Sequence, residues 1–200
     1  MTGSFIIKNT KFAIKFIQDW MELEETFTRE YGANDQAAIH QMFLNRYYPN
    51  HPRKEKCEKI WAKTVGIEEH SYYVGCARSI MDDRMEFDKI IIYPKGSHKA
   101  WVRDIWLTQS EWAPRDFMLH DLEEYKITND PIQLNVSPYN YSNPFLSDAV
   151  FHSAFCTFPD GLNCWKYNST FIKSDKIVDE KIKRKTKELR LRYLKYIDIL

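Results

Sequence analysis

Apolar residues recur at helical spacing through most of the first eighty positions, and this periodicity points to a fold built largely on packed helices. Behind Asn9-Thr10, a good N-cap, come Ala13, Phe16, Ile17, Trp20, Leu23 and Phe27, with Lys11, Lys15, Glu22 and Glu25 on the opposite face. The spacing predicts a helix of about five turns, stopped at Gly32. Asn34 or Asp35 caps a second helix carrying Ala38, Ile39, Met42, Phe43 and Tyr47, which Pro49 and Pro52 end. Cys57, Ile60 and Trp61 form a further stripe within Arg53 to Lys63, and another helix is expected from Glu68 to Ile80. Strand signals are fewer: Phe5-Ile6-Ile7, Asp88 to Tyr93 around three consecutive isoleucines, and Trp101 to Leu107. From Thr128 to Gly161, prolines, asparagines, serines and tyrosines predict loops. A long amphipathic helix follows from Ser174 to Leu200, striped by Val178, Ile182, Leu189, Tyr193, Ile197 and Leu200. The order of elements implies an α/β fold whose strands are too few for a complete parallel sheet.

Two hundred residues, 44% of them hydrophobic, suffice for a buried core. The net charge of +1 is no nucleic-acid signature for the chain as a whole. The charge is uneven, with ten Lys/Arg against five Asp/Glu between Ile172 and Leu200. That tail can pack its stripe and solvate its charges, or rest on an anionic membrane or nucleic acid. No stretch is apolar enough to span a bilayer, and the opening Phe5-Ile6-Ile7 run is too short for a secretory h-region. Cys57, Cys76, Cys156 and Cys164 form no Cys-x-x-Cys pair, which disfavours a zinc ribbon. Four cysteines permit disulfides in three connectivities, with buried thiols an equal reading. Sequons at Asn135, Asn140 and Asn168 tilt slightly toward a lumenal protein.

Three segments in order carry a family resemblance: Thr2-Gly-Ser-Phe-Ile-Ile-Lys-Asn-Thr-Lys-Phe-Ala, Gly32-Ala-Asn-Asp-Gln-Ala-Ala-Ile-His40, and His98-Lys-Ala-Trp-Val-Arg-Asp through Trp112-Ala-Pro-Arg-Asp-Phe-Met-Leu-His120. Together they resemble nucleotide-diphospho-sugar transferases of the GT-A type, a domain-of-unknown-function group related to the Golgi galactosyl- and mannosyltransferases. The resemblance implies a partial GT-A-like fold: residues 1–127 as its acceptor-side portion, 128–173 as a loop-rich extension and 174–200 as a basic amphipathic helix. It implies transfer of a hexose from a nucleotide sugar to a glycan hydroxyl, in the Golgi or secretory lumen, as a type II membrane protein in the full-length form. Mn²⁺ or Mg²⁺ would offset charge on the departing diphosphate. The Asp-x-Asp motif that holds this ion in the family is absent, and Glu86-Phe-Asp88 precedes an apolar strand instead of following one. Met1 sits just before the first segment, so the nucleotide-binding half and membrane anchor are expected to be missing from this chain. The alternative is a non-catalytic relative that binds glycans or a partner glycosyltransferase.

The resemblance also assigns roles. His120 would be a metal ligand, although Asp121 stands where the family has glycine; the plain alternative is a His bonded to backbone. Asp35 and Gln36 would lie beside the reacting sugar carbon, and alternatively Asp35 merely caps a helix. Gly3 would let backbone approach the donor sugar, or simply begin a strand. Trp101, Arg103 and Asp104 would bind the acceptor, the Trp stacking on a sugar and the Arg and Asp bonding hydroxyls, against a plain role in core packing and one ion pair.

Overall fold

The computed structural model describes residues 5–27, 34–82, 84–94, 97, 99–100, 102–120 and 169–199. The chain divides into two compact units, Met1–Lys89 with Glu188–Leu200, and Ile90–Lys187. The mixture of helices and short strands is broadly α/β, as the order of elements implies.

The first unit is helical: α1 (Lys11–Glu24), α2 (Asn34–Tyr47), α3 (Lys54–Ala62) and α4 (Ile67–Met81), followed by the two-residue strand β1 (Glu86–Phe87). Thr10 caps α1 as its side chain suggests, accepting from the Ala13 amide at 3.1 Å. The helix ends at Glu24, before Phe27, the last residue of the expected stripe, and before the expected stop at Gly32. α1 packs on α2, and α4 packs on both α2 and α3. Phe16 meets Phe43 edge-to-face at 6.2 Å across the first of these contacts. The core gathers Leu44, Cys57, Ile60, Trp61, Tyr73 and Ile80. Each such aliphatic or aromatic side chain contributes about 1.5–3 kcal/mol by leaving water. A disulfide joins Cys57 to Cys76, both fully buried, and ties α3 to α4. Cys156 and Cys164 lie outside the described residues.

One polar chain runs through this core. The buried Tyr73 hydroxyl donates to Gln41 Oε1 at 2.9 Å, and the Gln41 amide donates to Glu58 at 2.7 Å and Asn45 at 3.0 Å. Lys54 closes it on Glu58 at 2.6 Å. Burial pushes the Tyr73 phenol up, so its proton stays in place to donate.

The strand expected at Phe5-Ile6-Ile7 does not form; these residues have no regular structure. A three-residue run becomes a strand only with a partner, and none pairs with it among the described residues. The segment is nevertheless exposed, with Ile6 at 82%.

The second unit contains β2 (Ile90–Ile91), β3 (Val102–Asp104), α5 (Ile105–Thr108), β4 (Met118–His120) and a 3₁₀ turn (Ser169–Phe171). The helix α6 (Asp175–Ile199) begins in this unit, and its residues from Glu188 onward belong to the first. The strand expected over Trp101–Leu107 turns helical after Asp104, and the one over Asp88–Tyr93 shrinks to Ile90–Ile91. Val178 and Ile182 of α6 pack on Ala113, while Lys181 pairs with Glu111 at 2.5 Å and Arg115 with Asp179. Within the first unit, Ile197 enters the core and Tyr193 lies against Gly75 of α4, where a Cβ would meet its ring at 2.8 Å. No described helix is long and apolar enough to cross a membrane.

Candidate functional site

Val102 opens β3 with a β-branched residue suited to a pleated surface. β3 and β4 pair in parallel, with Val102 opposite Met118, Arg103 opposite Leu119 and Asp104 opposite His120. The connection between them turns at Gln109 and Ser110, both at positive φ, and again at Pro114-Arg115. Side chains alternate along a strand, so Arg103 lies on one face, and Asp104 and His120 share the other.

On the first face Arg103 is buried in a two-pronged pair with Asp116. Nε donates to Oδ2 at 3.1 Å and Nη2 to Oδ1 at 2.7 Å, and both side chains are 1% exposed. Asp116 also accepts from the Ala113 amide at 2.9 Å. Arg103 Nη1 has no hydrogen-bond partner among the described residues. The planar guanidinium matches a carboxylate in this fork, so the pair fixes how the 113–116 turn meets the strand.

On the second face His120 Nδ1 lies 2.9 Å from Asp104 Oδ1. An ionised carboxylate can only accept, so Nδ1 carries a proton and donates; in the neutral ring Nε2 is then the acceptor. Asp104 is 3% exposed and His120 41%, which makes the pair anchored at one end and accessible at the other. Two acceptor-capable groups at the C-terminal ends of adjacent parallel strands stand where α/β sheets commonly bind ligands.

Two of the remaining expected site residues are described, and both belong to the first unit. Asp35 and Gln36 occupy the first turn of α2 in the first unit. Their carbonyls are engaged, Asp35 accepting from Trp20 Nε1 at 2.8 Å and Gln36 from His40 Nδ1 at 2.6 Å. Gly3 and Trp101 lie outside the described residues. Glu86 and Asp88 build no metal motif: Asp88 accepts from the Tyr47 hydroxyl at 2.9 Å. Asp116 was not legible as the partner of Arg103, although its place two residues after Pro114 is a turn signal.

A sequence model of the family described as "Protein of unknown function, DUF273" matches residues 1–136. The chain belongs to the DUF273 family. No curated protein and no solved structure matches it. The Asp104–His120 and Arg103–Asp116 pairs both fall inside the DUF273 match, whereas α6 lies wholly beyond it.

Among the described residues of this DUF273 chain, no three His, Cys, Asp or Glu side chains gather to hold a metal ion. Asp104 and His120 supply two donors, and Nδ1 and Oδ1 are spent on each other. Such a set falls short of the oxygen-rich shell that Mg²⁺ or Mn²⁺ takes. A groove of about 330 Å³ beside α1, lined by Ile7, Asn9, Ala13, Ile14, Ile17 and Gln18, carries no ionisable group.

Proposed function

We propose that this DUF273 chain is the acceptor-side part of a glycosyltransferase that moves a hexose from a nucleotide sugar to a glycan hydroxyl. The reading rests on the three motif segments and on one observation, the Asp104–His120 pair at the ends of β3 and β4. Asp104 orients the ring and fixes its tautomer, as second partners of functional histidines do. His120 Nε2 then accepts a hydrogen bond from a sugar hydroxyl. The buried Arg103–Asp116 fork holds β3 and the following turn in register and does not touch the sugar.

Saturation-transfer NMR on the 200-residue chain with hexose disaccharides and UDP-hexoses tests this. The wild-type chain should bind saccharide, and His120→Ala should weaken binding about tenfold, the scale of one lost hydrogen bond to a polar ligand. Asp104→Asn should weaken it less, because the amide oxygen still accepts from Nδ1. Absence of saccharide binding by the wild-type chain, or binding that His120→Ala leaves untouched, would sink the reading.

A further inference from the structure

Within residues 176–187, α6 carries six Lys/Arg against Asp179 and Glu180. The fold sorts these charges by side. Val178 and Ile182 are buried, and next to them Asp179 pairs with Arg115 and Lys181 with Glu111. At about 100° per residue, Lys176, Lys183 and Lys187 fall within about 40° of one another on the opposite side, with Arg184 about 60° further round. All four are exposed. Glu180 is the one acid on that side of this stretch. The packing of α6 therefore pairs Asp179 and Lys181 beside its buried stripe and leaves a cationic strip facing out.

A strip of this kind takes a polyanion, and the chain's other unit decides which class. Cys57 and Cys76 are joined inside its core with both residues fully buried, so the fold is completed under oxidising conditions. Nucleic acid and the anionic cytoplasmic leaflet belong to reducing surroundings. The repeating polyanion met in oxidising surroundings is an acidic polysaccharide, and a short Lys/Arg-rich segment suits a sulfated one such as heparin. We infer that the exposed face of α6 formed by Lys176, Lys183, Arg184 and Lys187 binds sulfated polysaccharide. This binding is independent of the proposed transfer reaction and would persist if that reading failed, since it involves neither Asp104 nor His120.

The test is affinity of the full chain for a defined heparin oligosaccharide across a salt series. A triple variant, Lys183→Gln, Arg184→Gln and Lys187→Gln, should lose at least tenfold affinity at low salt and show a shallower salt dependence. A control with the same change in net charge, Lys8→Gln, Lys11→Gln and Lys63→Gln, should bind like wild type. Lys183→Arg with Lys187→Arg should retain affinity, and circular dichroism should report unchanged helix content in every variant. Equal losses in the control and the α6 variant would reduce the effect to net charge and overturn the assignment. So would undiminished binding by the α6 variant. Tighter wild-type binding to phosphatidylserine vesicles or to duplex DNA than to the oligosaccharide would overturn the choice of occupant.

Discussion

His40 and His120 place one side-chain type in opposite settings. His40 is buried on α2, its Nδ1 donating to the Gln36 carbonyl at 2.6 Å and its Nε2 lying 3.4 Å from Arg78 Nε. Burial, helped by the Arg78 charge, lowers its pKa from 6.5 to about 3. In the unfolded chain the same imidazole protonates near 6.5, so acid favours unfolding. The neutral ring's contribution is complete above about pH 6.5, falls as pH drops toward 3, and changes no further below that. Between pH 7 and pH 4 it amounts to about 3 kcal/mol. Urea unfolding of wild type and His40→Gln at both pH values should show the wild type losing more stability; parallel losses would refute the assignment. Arg103 and Asp116 answer a different need. Desolvation offsets most of the attraction in a buried pair, so the fork acts mainly to specify geometry beneath the Asp104–His120 face.

Between α3 and α4 the covalent link and the packing act together. The Cys57–Cys76 bridge closes a loop with a sequence separation of 19, which by chain entropy corresponds to about 3 kcal/mol. Denaturant unfolding with and without reductant should differ by about that amount, and coincident curves would show that the bridge adds nothing. Tyr193 of α6 lies against Gly75 of α4, and a methyl there would meet it at 2.8 Å. Gly75→Ala should therefore destabilise by about 1–3 kcal/mol despite alanine's better helix propensity. Truncating Tyr193→Ala in the same chain should cancel most of that penalty, a coupling that a double-mutant thermal-unfolding cycle measures. The longer helices were readable because each carries its own stripe, down to Cys57, Ile60 and Trp61 on α3, whereas the four-residue α5 lay inside an expected strand. The strands were legible only in part, because pairing decides them. Phe5-Ile6-Ile7 is as apolar as Ile90-Ile91-Ile92, yet only Ile90 and Ile91 become strand. The disulfide was one of several pairings that the cysteine count allowed, and only the packing of two helices selects Cys57 with Cys76. Asp104 and His120 were each named from the motif segments. Their contact follows from a parallel register that the third segment, which holds both residues, does not spell out.

At the scale of the whole molecule, charge is distributed by task. The chain as a whole is nearly neutral, and its basic excess sits beyond the family match, on α6. There Arg190 reaches Asp82 and Arg192 reaches Glu68 within the first unit, while Lys181 reaches Glu111 within the second. Part of the basic tail is thus internal ion pairing, and another part is the strip assigned above. The first unit is also discontinuous in sequence, since its core of Leu44, Trp61, Tyr73 and Ile80 is joined by Ile197. A ribosome delivers those residues in order, with more than a hundred others between Ile80 and Ile197. The four helices are therefore synthesised well before the residue that completes their core, and the first unit closes only through a contact of high sequence separation, the kind that slows folding.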